Sequence, residues 1–172
     1  MSPPVSPHSD NDDAGTQLCL SGRQLGELVR TVLDQGAPFT FQAGGSSMFP
    51  FIRDGDAVTV SPPQQEIGIG DVVAVIQPGG GRLVVHRVLA RRGDAFFTKG
   101  DAATEGDGWM PREQMVGKVT RLQRKGIDVR CGLGPERRLI AALSQRRLPF
   151  PLLLPLWRRV RACLSCVHIR RN

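Results

Sequence analysis

The sequence predicts a mainly β protein with a helix before the β body and helices after it. Its 172 residues suffice for one domain with a hydrophobic core, and its 40% hydrophobic and 23% charged residues are ordinary globular usage. Apolar residues follow a helical period up to Gly36 and again from Pro135, whereas short β-branched runs bounded by Gly, Pro or Asp fill the stretch between.

The first elements are an arm and a helix. Residues 1–16 are rich in Pro, Ser and Asp, which is typical of a disordered arm. Residues 17–36 are assigned to an N-terminal helix, because Ser21 can cap it and Gly36 can end it. Its apolar face consists of Leu25, Leu28, Val29 and Val32.

Residues 37–130 are predicted to form the β domain, and residues 131–172 a basic helical tail. The predicted strands are 39–41, 57–60, 71–76, 83–89, 95–99, 116–123 and a short one within 126–130. Three glycines at 79–81 form a hairpin loop between two of these strands. A helical pattern over 135–145 opens the tail.

The net charge of +7 belongs to the end of the chain. Residues 1–133 carry 14 Lys+Arg and 15 Asp+Glu, whereas residues 134–172 carry 9 Lys+Arg and 1 Asp+Glu. Arginines at 146–171 flank a Leu- and Trp-rich stretch, a pattern that suits either an anionic membrane surface or a helix packed on the body with solvated arginines. Because the body is nearly neutral, nucleic acid is not the expected partner.

Targeting and metal signals are weak. Residues 1–15 contain no apolar stretch of the kind found in secretory signals, and the longest apolar run, at 148–157, is interrupted by three prolines. We therefore expect a cytoplasmic protein without a transmembrane helix, peripheral on the membrane if the tail binds there. Cys163-x-x-Cys166 beside His168 supplies only half of a zinc site, so no metal or other cofactor is expected.

Three segments of the β domain carry residues suited to catalysis. In the segment 44–50 (GGSSMFP), two glycines precede Ser46 and Ser47, so the bend can present a hydroxyl nucleophile, although such a turn is often only a turn. In the segment 84–88 (VVHRV), His86 is the one histidine of the β domain and the natural base for that serine.

The third segment, 97–107, contains two carboxylates that can orient a histidine. Asp101 and Asp107 lie in a short glycine-containing stretch, and either can hold the imidazole N–H and stabilise its cation. The alternative is a solvated turn in which Asp101 caps backbone amides.

Six short motifs occur in the order found in type I signal peptidases, within the wider S24/S26 peptidase superfamily that includes the self-cleaving repressor and mutagenesis proteins. The resemblance covers residues 38–123. The motifs are Ser47-Met48-Phe49-Pro50, Gly55-Asp56, Gly70-Asp71-Val72-Val73, His86-Arg87-Val88, Lys99-Gly100-Asp101 and Gly117-Lys118-Val119. The resemblance implies a fold of coiled β-sheet and a serine endopeptidase activity.

The resemblance also implies roles for individual residues. Ser47, directly before Met48, matches the nucleophile, and His86 stands where the usual bacterial enzymes have a lysine. This is similar to the endoplasmic-reticulum, archaeal and spore-former branch, which looks like a Ser–His–Asp arrangement. Asp107 then matches the orienting acid, with Asp101 as the other candidate.

Two further roles follow from the same resemblance. The expected oxyanion donors are the backbone N–H of Ser47 and the hydroxyl of Ser46. Lys99 is a rival base, but its neighbours Asp101 and Glu105 favour its protonated form. Because residues 1–35 lack the membrane anchor of signal peptidases, the resemblance favours a specialised protease that matures a peptide or protein precursor by cutting after small residues.

Two alternatives stay open. Ala14-Gly15 is the kind of bond that self-cleaving relatives cut, although those relatives use lysine where His86 stands and carry a DNA-binding helix pair that is missing ahead of Ser47. A non-catalytic binding module whose basic tail contacts membrane or RNA is the second alternative. The absence of Tyr argues against single-strand binding, since few aromatic side chains can stack on bases.

Overall fold

The structure is a computed structural model that describes residues 21–62 and 66–145. The helices are α1 (Gly22–Asp34) and α2 (Arg137–Gln145), and a 3₁₀ turn spans Arg112–Gln114. The strands are β1 (Phe39–Gln42), β2 (Ala57–Ser61), β3 (Val72–Ile76), β4 (Leu83–Arg92), β5 (Ala95–Lys99), β6 (Gly108–Pro111), β7 (Met115–Arg124) and β8 (Ile127–Asp128). The predicted mainly β class, with a helix at each end of the β body, is confirmed.

The eight strands form one antiparallel sheet. Its order is β1-β2-β7-β3-β4-β5-β6, and β8 pairs with β7 outside this path. Register shifts interrupt three of the pairings, between Thr59 and Val60, Ala74 and Val75, and Val88 and Ala90. Such bulges increase the local twist and allow one long sheet to curve.

Helix α1 closes one side of the sheet. A capping box joins Ser21 and Gln24 at its start, and Gly36 follows its end with a φ of 82°. Val29 and Leu33 are buried in the core. Gly26 lets the helix approach the β3–β4 hairpin, because a Cβ at this position would lie 3.1 Å from the carbonyl oxygen of Gly81.

Strand β3 divides the core into two clusters. Val72 and Ala74 pack with α1 and β2 on one face, whereas Val73 and Val75 pack with β5 and β6 on the other. All four residues are at most 2% exposed. This central strand is therefore buried on both faces, which explains why its sequence is a continuous run of apolar residues instead of an alternating pattern.

Two features differ from the sequence-based expectation or extend it. The strand β6 was not predicted, because Gly108 and Pro111 at its ends are residues that usually mark loops. Helix α2 packs against β4, and its Ile140 is fully buried beside Phe51.

Neither helix of the described ranges is long and apolar enough to span a bilayer. The predicted arm at 1–16 and the Arg- and Leu-rich stretch at 146–171 lie outside these ranges.

Candidate active site

The loop between β1 and β2 carries Ser47. Two backbone hydrogen bonds, each 2.8 Å long, join the two ends of this loop. The N–H of Ala43 donates to the carbonyl oxygen of Asp56, and the N–H of Gly55 donates to the carbonyl oxygen of Ala43. Asp56 in turn receives two hydrogen bonds from Arg124, at 2.7 and 2.8 Å. Met48, 3% exposed, anchors the loop in the core directly after the serine. Ser47 itself is exposed, so a fixed loop presents an accessible hydroxyl.

His86 lies beside Ser47 although 39 residues separate them. It sits on β4 opposite Val73 of β3, and its side chain is 10% exposed. The Nε2 atom lies 3.1 Å from Ser47 Oγ. That distance is within the range in which a general base can accept the hydroxyl proton.

Asp107 completes the row of side chains on the other side of the imidazole. Its Oδ2 atom lies 2.5 Å from His86 Nδ1. An ionised carboxylate can only accept hydrogen bonds, so Nδ1 carries the proton of the neutral ring and Nε2 offers its lone pair to Ser47. This tautomer is the one that general-base catalysis by His86 requires.

The environment of Asp107 favours its ionised form. Burial acts to raise the pKa of Asp107, but the hydrogen bond and charge of His86, with hydrogen bonds from Thr98 and Gln77, lower that pKa below its ordinary value of 3.8. Thr98 Oγ1 donates to Oδ2 at 2.9 Å and Gln77 Nε2 donates to Oδ1 at 3.3 Å. Both carboxylate oxygens are therefore held.

The structure does not bring Asp101 to His86. Asp101 instead accepts two 2.7 Å hydrogen bonds from Arg87, one on each carboxylate oxygen, and both side chains are 0% exposed. The same guanidinium donates to the carbonyl oxygens of Gly70 and Gly132, each at 2.9 Å. Asp101 is thus part of a buried network next to the site, because its oxygens are already occupied by Arg87.

Lys99, the rival base, contacts helix α2. Its Nζ atom donates to the carbonyl oxygen of Ser144 on α2, at 3.1 Å. The side chain is 7% exposed and joins the end of β5 to that helix. This placement favours His86 over Lys99 as the partner of Ser47.

The loop after β5 also holds Ser47 in place. The N–H of Ala102 donates to the carbonyl oxygen of Ser47 at 2.8 Å. At Gly100, an added Cβ would lie 2.6 Å from that same oxygen and 3.2 Å from His86 Nε2. Only glycine fits here without moving Ser47, so this position has a steric reason to lack a side chain.

Both expected oxyanion donors lie at the exposed turn. The carbonyl oxygen of Ser46 accepts from the N–H of Phe49 at 3.0 Å, which orients the peptide group between Ser46 and Ser47. Within the described part of the chain, neither the N–H of Ser47 nor the hydroxyl of Ser46 donates to another protein atom. Both donors are thus open to a bound group.

A cleft of about 460 Å³ opens beside Ser47. Its walls come from the start of α1, the end of β1, the serine loop and the first residues of β4. Apolar side chains dominate the lining, namely Leu25, Phe41, Met48, Ile52, Leu83 and Val85. An apolar groove with an accessible serine hydroxyl at its wall suits an extended, mostly uncharged segment of polypeptide.

Among residues 21–62 and 66–145, two strand edges at this cleft have no neighbouring strand. Residues 83–86 of β4 pair with β3 on one side, but β5 pairs with β4 only from Arg87 onward. On the opposite wall, β1 pairs with β2 and with no other strand of the described ranges. Free backbone donors and acceptors on an edge can bind a peptide by strand addition.

Sequence reasoning missed several supporting residues. Thr98 and Gln77 were not singled out, because a threonine in a strand and a glutamine at a hairpin are common and carry no motif. Asp56 was noted only as part of Gly55-Asp56, and its pairing with Arg124 bridges 68 residues. Among the described residues, no cluster of His, Cys, Asp and Glu could hold a metal ion.

Residues 22–99 match the family model described as Peptidase S24-like. The match runs from α1 to the end of β5, so it includes Ser47 and His86 and ends before Asp107. It supports a place for the chain in the S24 peptidase superfamily and a function of peptidase type. No curated protein matches the chain.

Proposed function

We propose that this S24-like peptidase domain is a serine endopeptidase that cuts a peptide or protein precursor after small residues. Ser47 is the nucleophile, His86 the general base and Asp107 the residue that orients His86. The observation that carries the proposal is the continuous hydrogen-bonded row from Ser47 Oγ through the imidazole to Asp107, with contacts of 3.1 and 2.5 Å. A histidine with a purely structural role would not need an exposed serine hydroxyl within hydrogen-bond distance of its Nε2 atom.

The proposed reaction follows from these contacts. Ser47 Oγ attacks the scissile carbonyl carbon while its proton passes to His86 Nε2, and Asp107 stabilises the resulting imidazolium. The N–H of Ser47 and the hydroxyl of Ser46 donate to the oxyanion. His86 then protonates the leaving amine, and water, with His86 again as base, hydrolyses the acyl ester on Ser47.

The cleft supports an extended substrate. A peptide that adds to the free edge of β4 lies with its backbone along the strand that carries His86. Its alternate side chains face the apolar lining. This arrangement fits cleavage of an unfolded or flexible precursor segment better than cleavage within a folded domain.

The histidine base favours the endoplasmic-reticulum and archaeal-like branch of signal peptidase-like enzymes over the lysine-dependent bacterial branch. Support comes from the position of His86 within reach of Ser47 and from Lys99, which donates to Ser144 instead. This assignment makes the protein a relative of precursor-processing peptidases in mechanism.

The test is cleavage of peptides that place Ala, Gly or Ser within apolar flanks, followed by mass spectrometry. The wild type should cut after the small residue, and Ser47→Ala should not. Ser61→Ala is the control, since it removes a serine hydroxyl from β2, outside the serine loop, and should retain wild-type cleavage. Equal activity in Ser47→Ala and the wild type would refute the proposal.

Self-cleavage at Ala14-Gly15 is a second candidate, favoured by one observation. Gly22, the first residue of α1, lines the same cleft as Ser47. Seven residues from Gly15 to Gly22 can span up to about 24 Å when extended. Gly22 is therefore at the cleft, and the Ala14-Gly15 bond is seven residues before it in the sequence.

Incubation of the purified full-length protein separates the two candidates. A precursor-processing enzyme keeps its full mass. Loss of residues 1–14 that depends on Ser47, at a rate independent of protein concentration, would instead support intramolecular cleavage.

A further inference from the structure

Arg82 stands at one end of the cleft beside Ser47. Of the described residues that line this cleft, it is the one that carries a charge. Its side chain passes over the start of α1, because a Cβ at Gly22 would lie 3.1 Å from Arg82 Cγ. The stem therefore lies against backbone, which limits where the guanidinium can go.

The guanidinium has no carboxylate partner in the described part of the chain. The ion pairs found there engage other cations, among them Arg23 with Glu27 and Arg91 with Glu66. Arg82 is exposed, and no acidic side chain lines the cleft. A planar guanidinium in such a place can bind a carboxylate through two parallel hydrogen bonds.

The distance from the reaction centre follows from the strand. Arg82 directly precedes β4 and lies four positions before His86. At about 3.3 Å per residue in an extended chain, four positions correspond to about 13 Å. Consider a peptide that lies along the free edge of β4 with its scissile bond beside His86. The peptide residue level with Arg82 would then be the third, fourth or fifth from that bond.

We propose that Arg82 is a specificity-determining residue that selects substrates with an aspartate or glutamate three to five residues from the cleaved bond. The inference rests on the proposed peptidase function, since the cleft is taken as the substrate site. It narrows the substrate class from any apolar segment to an apolar segment with one acidic residue three to five residues from the cleaved bond. A solvated arginine without a role would leave cleavage indifferent to that residue.

A peptide scan tests this inference. An apolar host peptide with Ala at its centre carries one Glu, Gln or Lys at each position from five before to five after the Ala. Mass spectrometry locates the cut, and kcat/KM is compared between the Glu and Lys series. Binding of the same fluorescent peptides to the Ser47→Ala variant is measured by anisotropy, so the result does not depend on turnover.

The expected result is a preference for Glu over Gln of about three- to fivefold at one position three to five residues from the cut, as for a partly exposed ion pair. Raising the salt concentration should reduce this preference. Arg82→Glu should reverse the Glu-to-Lys ratio, whereas Arg82→Lys should keep its direction. Arg138→Glu, an equal charge change on α2 outside the cleft, should leave the ratio unchanged.

Failure of the inference is distinct from failure of the peptidase function. Cleavage with no Glu preference, or with a preference that Arg82→Glu does not move, overturns the role of Arg82 and leaves the peptidase function standing. No cleavage, combined with tighter Glu binding that Arg82→Glu removes, supports the role of Arg82 and refutes the peptidase function. No cleavage and no difference in binding refutes both.

Discussion

His86 Nδ1 and Asp107 Oδ2 lie 2.5 Å apart, and both side chains are 10% exposed. This contact fixes which nitrogen of the imidazole carries the proton. Asp107→Asn replaces the acceptor with an amide that can donate, so the ring is free to take the wrong tautomer. If the proposed mechanism holds, kcat should fall by about 10³- to 10⁴-fold, as it does in Ser–His–Asp enzymes, with little change in KM.

The control for this variant is Asp128→Asn. Asp128 is an exposed carboxylate that pairs with Arg121 at the surface. Its loss should leave kcat unchanged. If both variants keep wild-type kcat in a peptide-cleavage assay, Asp107 does not orient the base.

Thr98 is expected to act through Asp107. Its hydroxyl, fully buried, donates to Oδ2 at 2.9 Å. Thr98→Val keeps the shape and removes the donor, and a hydrogen bond to a charged group contributes about 1.5–3 kcal/mol. We expect a loss in kcat of roughly tenfold, and Thr98→Ser should retain most of the activity.

A double-mutant cycle checks that this effect passes through the carboxylate. In the Asp107→Asn background, Thr98→Val should cost no further activity, because the group that it holds is already gone. An equal loss in both backgrounds would assign Thr98 a packing role only.

Gly100 should not tolerate a side chain. The Cβ of Gly100→Ala would lie 2.6 Å from the carbonyl oxygen of Ser47, closer than real Cβ contacts come. The serine must shift, and its contact with His86 would lengthen. We expect at least a tenfold loss of kcat/KM, since misplacement of a reacting group by about 1 Å can cost about 10²-fold.

The matched variant is Gly80→Ala, in the β3–β4 hairpin. A Cβ at Gly80 meets nothing within 4 Å. Its kcat/KM should equal that of the wild type, and thermal unfolding of both variants separates a local shift from a loss of fold. Full activity in Gly100→Ala would show that the loop after β5 does not position Ser47.

The Arg87–Asp101 pair should matter for stability. Both side chains are 0% exposed. Removing one partner leaves a buried charge uncompensated, so Arg87→Met is expected to lower the free energy of unfolding by about 3–5 kcal/mol. The double variant Arg87→Met with Asp101→Leu should recover part of this loss in urea unfolding.

An exposed pair provides the comparison. Arg121→Met breaks a contact whose side chains are 57% and 52% exposed. Such surface pairs contribute about 0–1 kcal/mol. Equal losses in Arg87→Met and Arg121→Met would mean that burial of the Arg87–Asp101 pair has no energetic consequence.

Acid should destabilise the fold through two carboxylates. Burial acts to raise the pKa of Asp56, but Arg124 and the Arg53 N–H lower it below 3.8 overall; the pKa of Asp107 is also lowered. Below about 3.8 the unfolded chain therefore binds more protons at these groups than the folded chain does. Their contribution to stability is complete above that pH and is lost as the pH falls through the lower folded pKa values.

The measurement is urea unfolding at a series of pH values between about 2 and 6. Asp56→Asn removes one of the carboxylates whose pKa is lowered and should flatten the slope of stability against pH on the acid side. A slope that the variant leaves unaltered would mean that Asp56 titrates alike in the folded and unfolded states.

Much of the fold could be predicted because its signals are local. Each of these signals comes from residues that are close together in the sequence. Examples are the Ser21 cap, the apolar face of α1 and the β-branched run at 72–76. Periodicity and capping report such elements directly. The strand β6 was missed because its four residues include Gly108 and Pro111, and its pairing with β5 supplies what the local sequence lacks.

The site was only partly accessible from sequence. Ser47 and His86 could be singled out by residue type and resemblance, but the choice between Asp101 and Asp107 depends on how the loop after β5 turns. Alternation along β4 sends His86 and Arg87 to opposite faces, so each meets a different carboxylate. Contacts such as Arg124 with Asp56 join distant segments and leave no local pattern to read.

The proposed mechanism requires that Ser47 becomes covalently acylated during turnover. The most direct measurement is rapid acid quenching of a reaction with a cleaved peptide, followed by digestion and mass spectrometry of the fragment that contains Ser46 and Ser47. We predict the mass of the N-terminal product in ester linkage on Ser47, and no adduct in Ser47→Ala. Peptide cleavage that continues in Ser47→Ala, or an adduct on any other residue, would contradict the mechanism.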